Sequence, residues 1–217
     1  MQQIDTAAIA TIGIPRLLLM EHAGLAVARA TRRLLPAPGS APVLICCGTG
    51  YNGGDGLCAA RHLHDWGYPL SVLLTGRLAD LREEPRTYAT ILQGLGIRIA
   101  ACPSSQDVGH LQASFAQCAL LIDALLGIGA RGSVREPAAS VIVRANASGR
   151  PILAVDIPSG LDGDTGEVRG LAIRATMTVT FGLAKRGCLT GEGPRHTGSL
   201  VVEAITIPRA LLTTETP

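Results

Sequence analysis

Between residues 42 and 205 the sequence alternates short apolar, β-branched runs with stretches of helical periodicity, a pattern that few architectures accept. The strand candidates are 42–47 (PVLICC), 69–75 (PLSVLLT), 97–100 (IRIA), 118–123 (CALLID), 152–156 (ILAVD), 176–181 (TMTVTF) and 199–205 (SLVVEAI). Helices are expected at about 54–66, 80–94, 107–116 and 136–148. Regular strand–helix–strand alternation builds a parallel sheet covered by helices on both faces. The continuous apolar character of most strands agrees, because such strands are buried on both sides. Residues 1–36 look helical: "IPRLLLMEHAGLAVARATRRLL" has Pro15 at a helix start and basic residues in its last turn, and "PAPGSAP" then breaks it. With no linker, repeat or low-complexity segment between 40 and 207, the expectation is one domain over 1–217. Its fold is α/β, a doubly wound, mostly parallel sheet with a helical N-terminal extension.

In such sheets ligands bind outside the carboxyl ends of the strands, where the strand order reverses. For the order 3-2-1-4-5 the reversal lies between the first and fourth strands. The loops that matter are then those after 47, 123 and 156, and all of them are chemically unusual.

The first loop is "GTGYNGGDG", residues 48–56. Gly48, Gly50 and Gly53 match the G-x-G-x-x-G of dinucleotide-binding folds, and the helix that follows offers free N–H groups to an anion. A hydride-transfer enzyme needs an acidic residue at the end of the second strand to hold the ribose. Gly76 and Arg77 stand there instead; an Arg can accept a 2′-phosphate, but nothing else in the chain points to hydride transfer. The second loop, "IDALLGIGARGSVREP", starts at Asp123, a carboxylate closing a buried strand, where lack of a partner would cost several kcal/mol. The third, "VDIPSGLDGDTG", places Asp156 at another strand end. Ser159 is not a nucleophile elbow, since Ile157 and Leu161 occupy the required glycine positions. "DGDTG" is not a calcium loop either, because the twelfth position from Asp162 is Ile173; it reads as a polar turn.

Two carboxylates at neighbouring strand ends cannot both be charged and bare. Either one has a raised pKa and works as acid or base, or a cation sits between them. Asn52, Asp123, Ser159 and backbone carbonyls offer only oxygen, which suits a hard cation rather than zinc. The histidines do not compete: His62 and His64 are two apart on a helix and face different ways.

The bulk numbers exclude several classes. Hydrophobic residues make up 47% and the net charge is +2, as in ordinary globular proteins. Aromatics are 3%, too few for a base-stacking surface, so nucleic acid is not an expected partner. No apolar run approaches the roughly 18 residues needed to span a bilayer, and the N-terminus lacks the features of a secretory signal. The six cysteines form no C-x-x-C pair and read as small buried hydrophobes in a reducing cytoplasm. Lys185 is the only lysine among 19 basic residues, which suggests that a compact ammonium is needed there.

Five stretches carry a family likeness: "LLLMEHAG", "GTGYNGGDGLCAARHL", "LIDALLGIGARGSVREP", "ILAVDIPSGLDGDTGEV" and "TVTFGLAKRGCLTGEGPRHTGSLVV". In this order and spacing, from about residue 4 to 205, the chain resembles the YjeF N-terminal domain family. The resemblance implies a Rossmann-like fold, a bound potassium ion, frequent homodimers and NAD(P)H-hydrate epimerase activity. That activity interconverts the R and S forms of NADHX or NADPHX, damaged cofactors hydroxylated at C6 of the nicotinamide ring. Carried over by position, substrate contacts fall at Tyr51, Asn52, Gly53, Gly54 and Asp55, and at Gly127, Ile128, Gly129, Ala130, Arg131, Gly132 and Ser133. Asp156 takes a substrate-binding and catalytic place, Lys185 falls in the family's G-x-x-K block as a second catalytic candidate, and Asn52, Asp123 and Ser159 take the potassium. Departures are Tyr51 for the usual Asn, His22 where Asn is common and Ala184 in place of Pro. Many members are fused to a dehydratase; this chain ends at "LLTTETP", so a separate dehydratase is the expected functional partner. A non-catalytic binding or scaffold module of the same type is the alternative.

Overall fold

The computed structural model describes residues 2–212. The chain opens with α1 (Gln2–Thr6), a π-helical turn (Ala7–Thr11) and α2 (Arg16–Leu34). Next come β1 (Val43–Cys47), α3 (Tyr51–Asp65), β2 (Leu70–Leu74), α4 (Glu83–Gly94), β3 (Ile99–Ala101), α5 (Ser105–Gly109) and α6 (Gln112–Gln117). The second half contains β4 (Leu120–Ala124), α7 (Ala138–Ala147), β5 (Ile152–Val155), β6 (Met177–Phe181), α8 (Arg186–Leu189), α9 (Gly193–Thr197), β7 (Ser199–Glu203) and α10 (Arg209–Leu212).

The strands form one sheet in the order β3-β2-β1-β4-β5-β6-β7. Every neighbouring pair is parallel, and β1 lies between β2 and β4, so the order reverses where the sequence pattern puts it. Side chains alternate across the pleat. Val43, Ile45 and Cys47 of β1 join Val27, Leu57, Leu63 and Leu92 under α2, α3 and α4. Leu44 and Cys46 face Phe115, Val141 and Ile142 under α6 and α7. Each fully buried side chain of this size contributes about 1.5–3 kcal/mol over an exposed one, and both faces of the sheet hold many. All six cysteines are buried and unpaired. Among the described residues no helix is long and apolar enough to cross a membrane.

Some element boundaries differ from the expectations. The N-terminal extension is helical with a helix start at Pro15, as expected, but it is interrupted: Gly13 at φ 84° and Pro15 separate the π turn from α2. α3 starts at Tyr51 rather than 54, so most of the opening glycine loop is helical. Glycines weaken helix propensity, but Gly53 is set by packing, since a Cβ there would overlap the Gly48 carbonyl oxygen. The helix expected at 80–94 is a 3-10 turn at Leu78–Asp80 followed by α4. The one expected at 107–116 is broken at His110–Leu111 into α5 and α6, with Ser104 and Asp107 forming a reciprocal cap at the start of α5. The short helices α8, α9 and α10 have no counterpart in the sequence pattern.

Candidate active site

A cavity of about 950 Å³ opens at the carboxyl edge of the sheet. Its walls are the β1–α3 loop with the first turn of α3, the whole β4–α7 connection from 125 to 138, Asp156 after β5, and Phe181 and Lys185 after β6. This is the reversal point of the strand order, where parallel sheets hold their ligands.

Asp156 follows β5 with φ 66°, a left-handed conformation that aspartate tolerates better than most residues. Its N–H donates to the Val179 carbonyl at 2.7 Å, which ties the turn to β6. Its Oδ1 accepts from the Lys185 ammonium, and the Thr180 hydroxyl and Phe181 N–H lie 3.4 Å from the same oxygen. Lys185 is 6% exposed and donates a second bond to the Phe181 carbonyl at 2.9 Å. The only lysine of the chain is therefore a buried partner of the strand-end carboxylate.

Asp55, one turn into α3, lines the same wall. Burial, then the charges of Asp156 and Asp5, push its carboxyl well above the ordinary range, and Lys185 offsets them only in part. Asp5 also lines the cavity and is raised by burial, against the opposing pull of Lys185. Nothing in the sequence pattern singled out Asp5, because only the crossing of the N-terminal helix over the sheet edge brings it here.

Asp123 and Ser159 lie beneath the cavity rather than in its lining, at 1% and 0% exposure. Asp123 accepts from the Ser159 N–H at 2.8 Å and hydroxyl at 2.6 Å and from the Leu125 N–H at 3.3 Å. Burial raises its carboxyl to about 6, with these hydrogen bonds opposing the rise. The Ser159 hydroxyl accepts in turn from Leu126 N–H at 2.9 Å, so Asp123 and Ser159 together hold the start of the β4–α7 connection. Asn52 stands on the cavity side of that connection, next to Gly127, where a Cβ would lie 3.3 Å from the Asn52 Cβ. The Asn52 Oδ1 and Nδ2 are both buried without a hydrogen-bond partner. An orphaned amide oxygen costs about 1–3 kcal/mol, and a hard cation is one group that satisfies it. Asn52, Asp123 and Ser159 offer oxygen donors with no thiolate or imidazole among them, the kind of donor that hard cations take.

The other candidate contacts divide. Tyr51, Asp55 and all of 127–133 line the cavity, whereas Gly53 and Gly54 do not. Gly53 packs on the Gly48 backbone, and Gly54 on Met20 and Pro85. The Tyr51 ring is flanked by the guanidiniums of Arg16 and Arg82, at 4.3 and 4.6 Å from its centroid. Both arginines line the cavity along with Arg135, Arg169 and the expected Arg131, a basic surface suited to phosphate groups of which the sequence reading named only Arg131. "DGDTG" is a polar turn, with Asp162 accepting from the N–H groups of Asp164 and Thr165 at 2.9 and 3.0 Å.

Among the described residues one other group has metal-like spacing: Glu21, Cys58 and His62, with ligand atoms within 4.8 Å of one another. The Arg61 guanidinium already donates to Glu21 Oε1, His62 Nε2 sits 2.9 Å from the same oxygen, and Tyr88 donates to Oε2 at 2.8 Å. Arg61 is the cation of this cluster.

A parallel sheet with one large basic cavity at its reversal point, and a lysine–aspartate pair within it, defines a Rossmann-like protein built to act on an anionic ligand. The chain belongs to the YjeF-related protein N-terminus family, which matches residues 16–187. It is 47% identical over 199 residues to a bifunctional NAD(P)H-hydrate repair enzyme of Pyrobaculum aerophilum, covering 91% of this chain and 39% of that protein. It is 39% identical over 202 residues to an NAD(P)H-hydrate epimerase of Limosilactobacillus fermentum, covering 93% and 92% respectively. It thus spans about two fifths of the bifunctional relatives and nearly all of a stand-alone one. A crystal structure of yeast ynu0 (YNL200c) superimposes with a TM-score of 0.83 at 27% identity, covering 97% of this chain and 88% of that one.

Proposed function

We infer that the chain is an NAD(P)H-hydrate epimerase, acting on the R and S forms of NADHX and NADPHX as one YjeF-type domain over 1–217. The observation that carries the reading is the Asp156–Lys185 pair within an arginine-lined cavity, in a chain that aligns almost end to end with relatives bearing that name. A cavity of about 950 Å³ lies at the upper end of ordinary ligand pockets, roughly 300–1,000 Å³, as an extended dinucleotide requires. A scaffold module has no need of a buried ammonium–carboxylate pair in an open cavity.

C6 of the hydrate is bonded to both N1 and a hydroxyl, so inversion needs one bond opened and closed again. Asp156 takes the hydroxyl proton, the oxygen electron pair forms a carbonyl, and the C6–N1 bond breaks. N1 accepts a proton from Asp55, whose surroundings favour the neutral acid. The aldehyde turns, N1 attacks its other face, and the protons return. Lys185 holds the Asp156 carboxylate in place through its ammonium group. The arginines at the cavity wall and the first-turn N–H groups of α3 receive the phosphates. Asn52, Asp123 and Ser159 would hold a potassium ion, which supplies fixed positive charge and steadies the β4–α7 connection. A homodimer, and work in sequence with a dehydratase that consumes one epimer, complete the proposal; the greater length of the bifunctional relatives supports that pairing.

The test is the rate of R-to-S interconversion of purified NADHX epimers. Wild type accelerates it in potassium buffer, and Asp156→Asn abolishes the acceleration. No acceleration by folded wild-type protein removes the reading.

A further inference from the structure

The N-terminal segment before α2 has no part in the chemistry described so far. Asp5 and Ile9, one turn apart and so on one helical face, both line the cavity. Ala8 beside them is fully buried, and its carbonyl accepts the Ile14 N–H at 3.0 Å. The Ala7 carbonyl accepts the Ile12 N–H at 3.1 Å through the π turn. The segment is thus folded back from α2 and laid against the cavity with a carboxylate on its inner face.

The groups that act on Asp5 come from several elements: Lys185 before α8, Asp156 after β5, and Arg16 at the start of α2. Asp55 of α3 is acted on by Asp156, Asp5 and Lys185, with the Cys47 and Cys58 thiols nearby as neutral groups. One ammonium therefore serves several carboxyls on the same wall. Carboxyls that share one cavity lining disfavour each other's ionisation, and Lys185 offsets this only in part.

We propose that Asp5 is a positioning residue of this site: the N-terminal helix carries its carboxylate into the lining of the cavity that Asp55, Asp156 and Lys185 also line. It acts through Asp55. A negative charge at residue 5 makes ionisation of Asp55 harder, and so preserves the neutral acid that the epimerisation reading assigns to N1. The inference rests on that reading for its catalytic meaning, but the charge coupling is measurable without substrate.

The experiment follows the Asp55 carboxyl by carbon-13 NMR in protein labelled at aspartate side-chain carboxyls, with Asp55→Asn identifying the signal. In Asp5→Asn the Asp55 titration moves to lower pH by about half a unit or more, as loss of a nearby like charge demands. Asp5→Glu, which keeps the charge, leaves it near the wild-type position. The high-pH limb of kcat moves down with Asp55 in Asp5→Asn, while KM changes little. Asp5→Ala removes the same charge and serves if the amide variant does not fold. Equal Asp55 titration in the wild type and a folded charge-removing variant overturns the proposal, and so does an equal shift in Asp5→Glu. An inactive wild type whose Asp55 still responds to residue 5 overturns the epimerase reading alone.

Discussion

Lys185 bridges the ends of two neighbouring strands, donating to the carboxylate of Asp156 beyond β5 and to the carbonyl of Phe181 at the end of β6. The side chains of Lys185 and Asp156 are 5% and 13% exposed, so neither charge is well solvated without the other. Removing one partner of such a pair costs about 3–5 kcal/mol, because the other is left buried and uncompensated. Lys185→Met should therefore lower both stability and rate. Asp156→Asn keeps a residue that tolerates the left-handed backbone and should fold more readily. Its epimerase kcat should drop about 10²–10⁴-fold, the usual worth of a positioned acid–base group. Thermal melts and epimer interconversion rates separate the two effects. An Asp156→Asn rate equal to wild type removes this residue from the chemistry.

The glycines of the cavity loops divide by what surrounds them. A Cβ on Gly53 would overlap the Gly48 carbonyl, a backbone atom that cannot swing away. A Cβ on Gly129 meets nothing within 4 Å. Gly53→Ala should cost about 2 kcal/mol or more, in the range of overpacked sites, and Gly129→Ala almost nothing. Denaturant melts of the two variants test this, and equal midpoints would show that α3 can back away from β1.

The parallel sheet was legible because strands buried on both faces read as unbroken apolar runs, and the order 3-2-1-4-5 taken for such sheets holds for the first five strands. Asp123 and Asp156 were legible as charges closing such runs, and Lys185 by being the only lysine. The start of α3 was not, because Gly53 and Gly54 look like loop residues until the packing of α3 on Gly48, Met20 and Pro85 is known. Nor was the basic wall: Arg16, Arg82 and Arg169 come from different elements and meet only in the folded chain. Asp5 was hidden for the same reason, and no periodicity reports where a terminal helix crosses.

Asp162 lies well below the usual carboxylate range because Arg169 donates to it, with further help from the N–H groups of Thr165 and Asp164. A depressed folded-state value means that the stabilisation is present above the unfolded value of 3.8 and lost as pH falls through the lower folded value. Solvent screening holds the effect to about 1 kcal/mol. Asp162→Asn should melt about 2–4 °C lower than wild type at pH 7, and the gap should close as pH drops below 3.8. Arg169 also donates to the Ala130 carbonyl, so the same variant should loosen the 127–133 loop and raise KM. A gap independent of pH would place the effect elsewhere than in this ion pair.

Asn52 gives the sharpest test of the proposed potassium site, because among its three residues the Asn52 amide is the one left without partners while Asp123 and Ser159 satisfy each other. A cation bound there stabilises the folded state by RT ln(1 + [K⁺]/Kd), about 2.7 kcal/mol at a hundredfold excess over Kd. Wild type should therefore melt higher in potassium than in an equal concentration of tetramethylammonium, an ion too large for the site. Asn52→Leu fills similar volume without an oxygen and should melt at one temperature in both salts. It also removes an unsatisfied buried amide, so in tetramethylammonium it should be at least as stable as wild type. If both proteins gain equally from potassium, the ion binds elsewhere, and the orphaned amide of Asn52 belongs to the substrate instead.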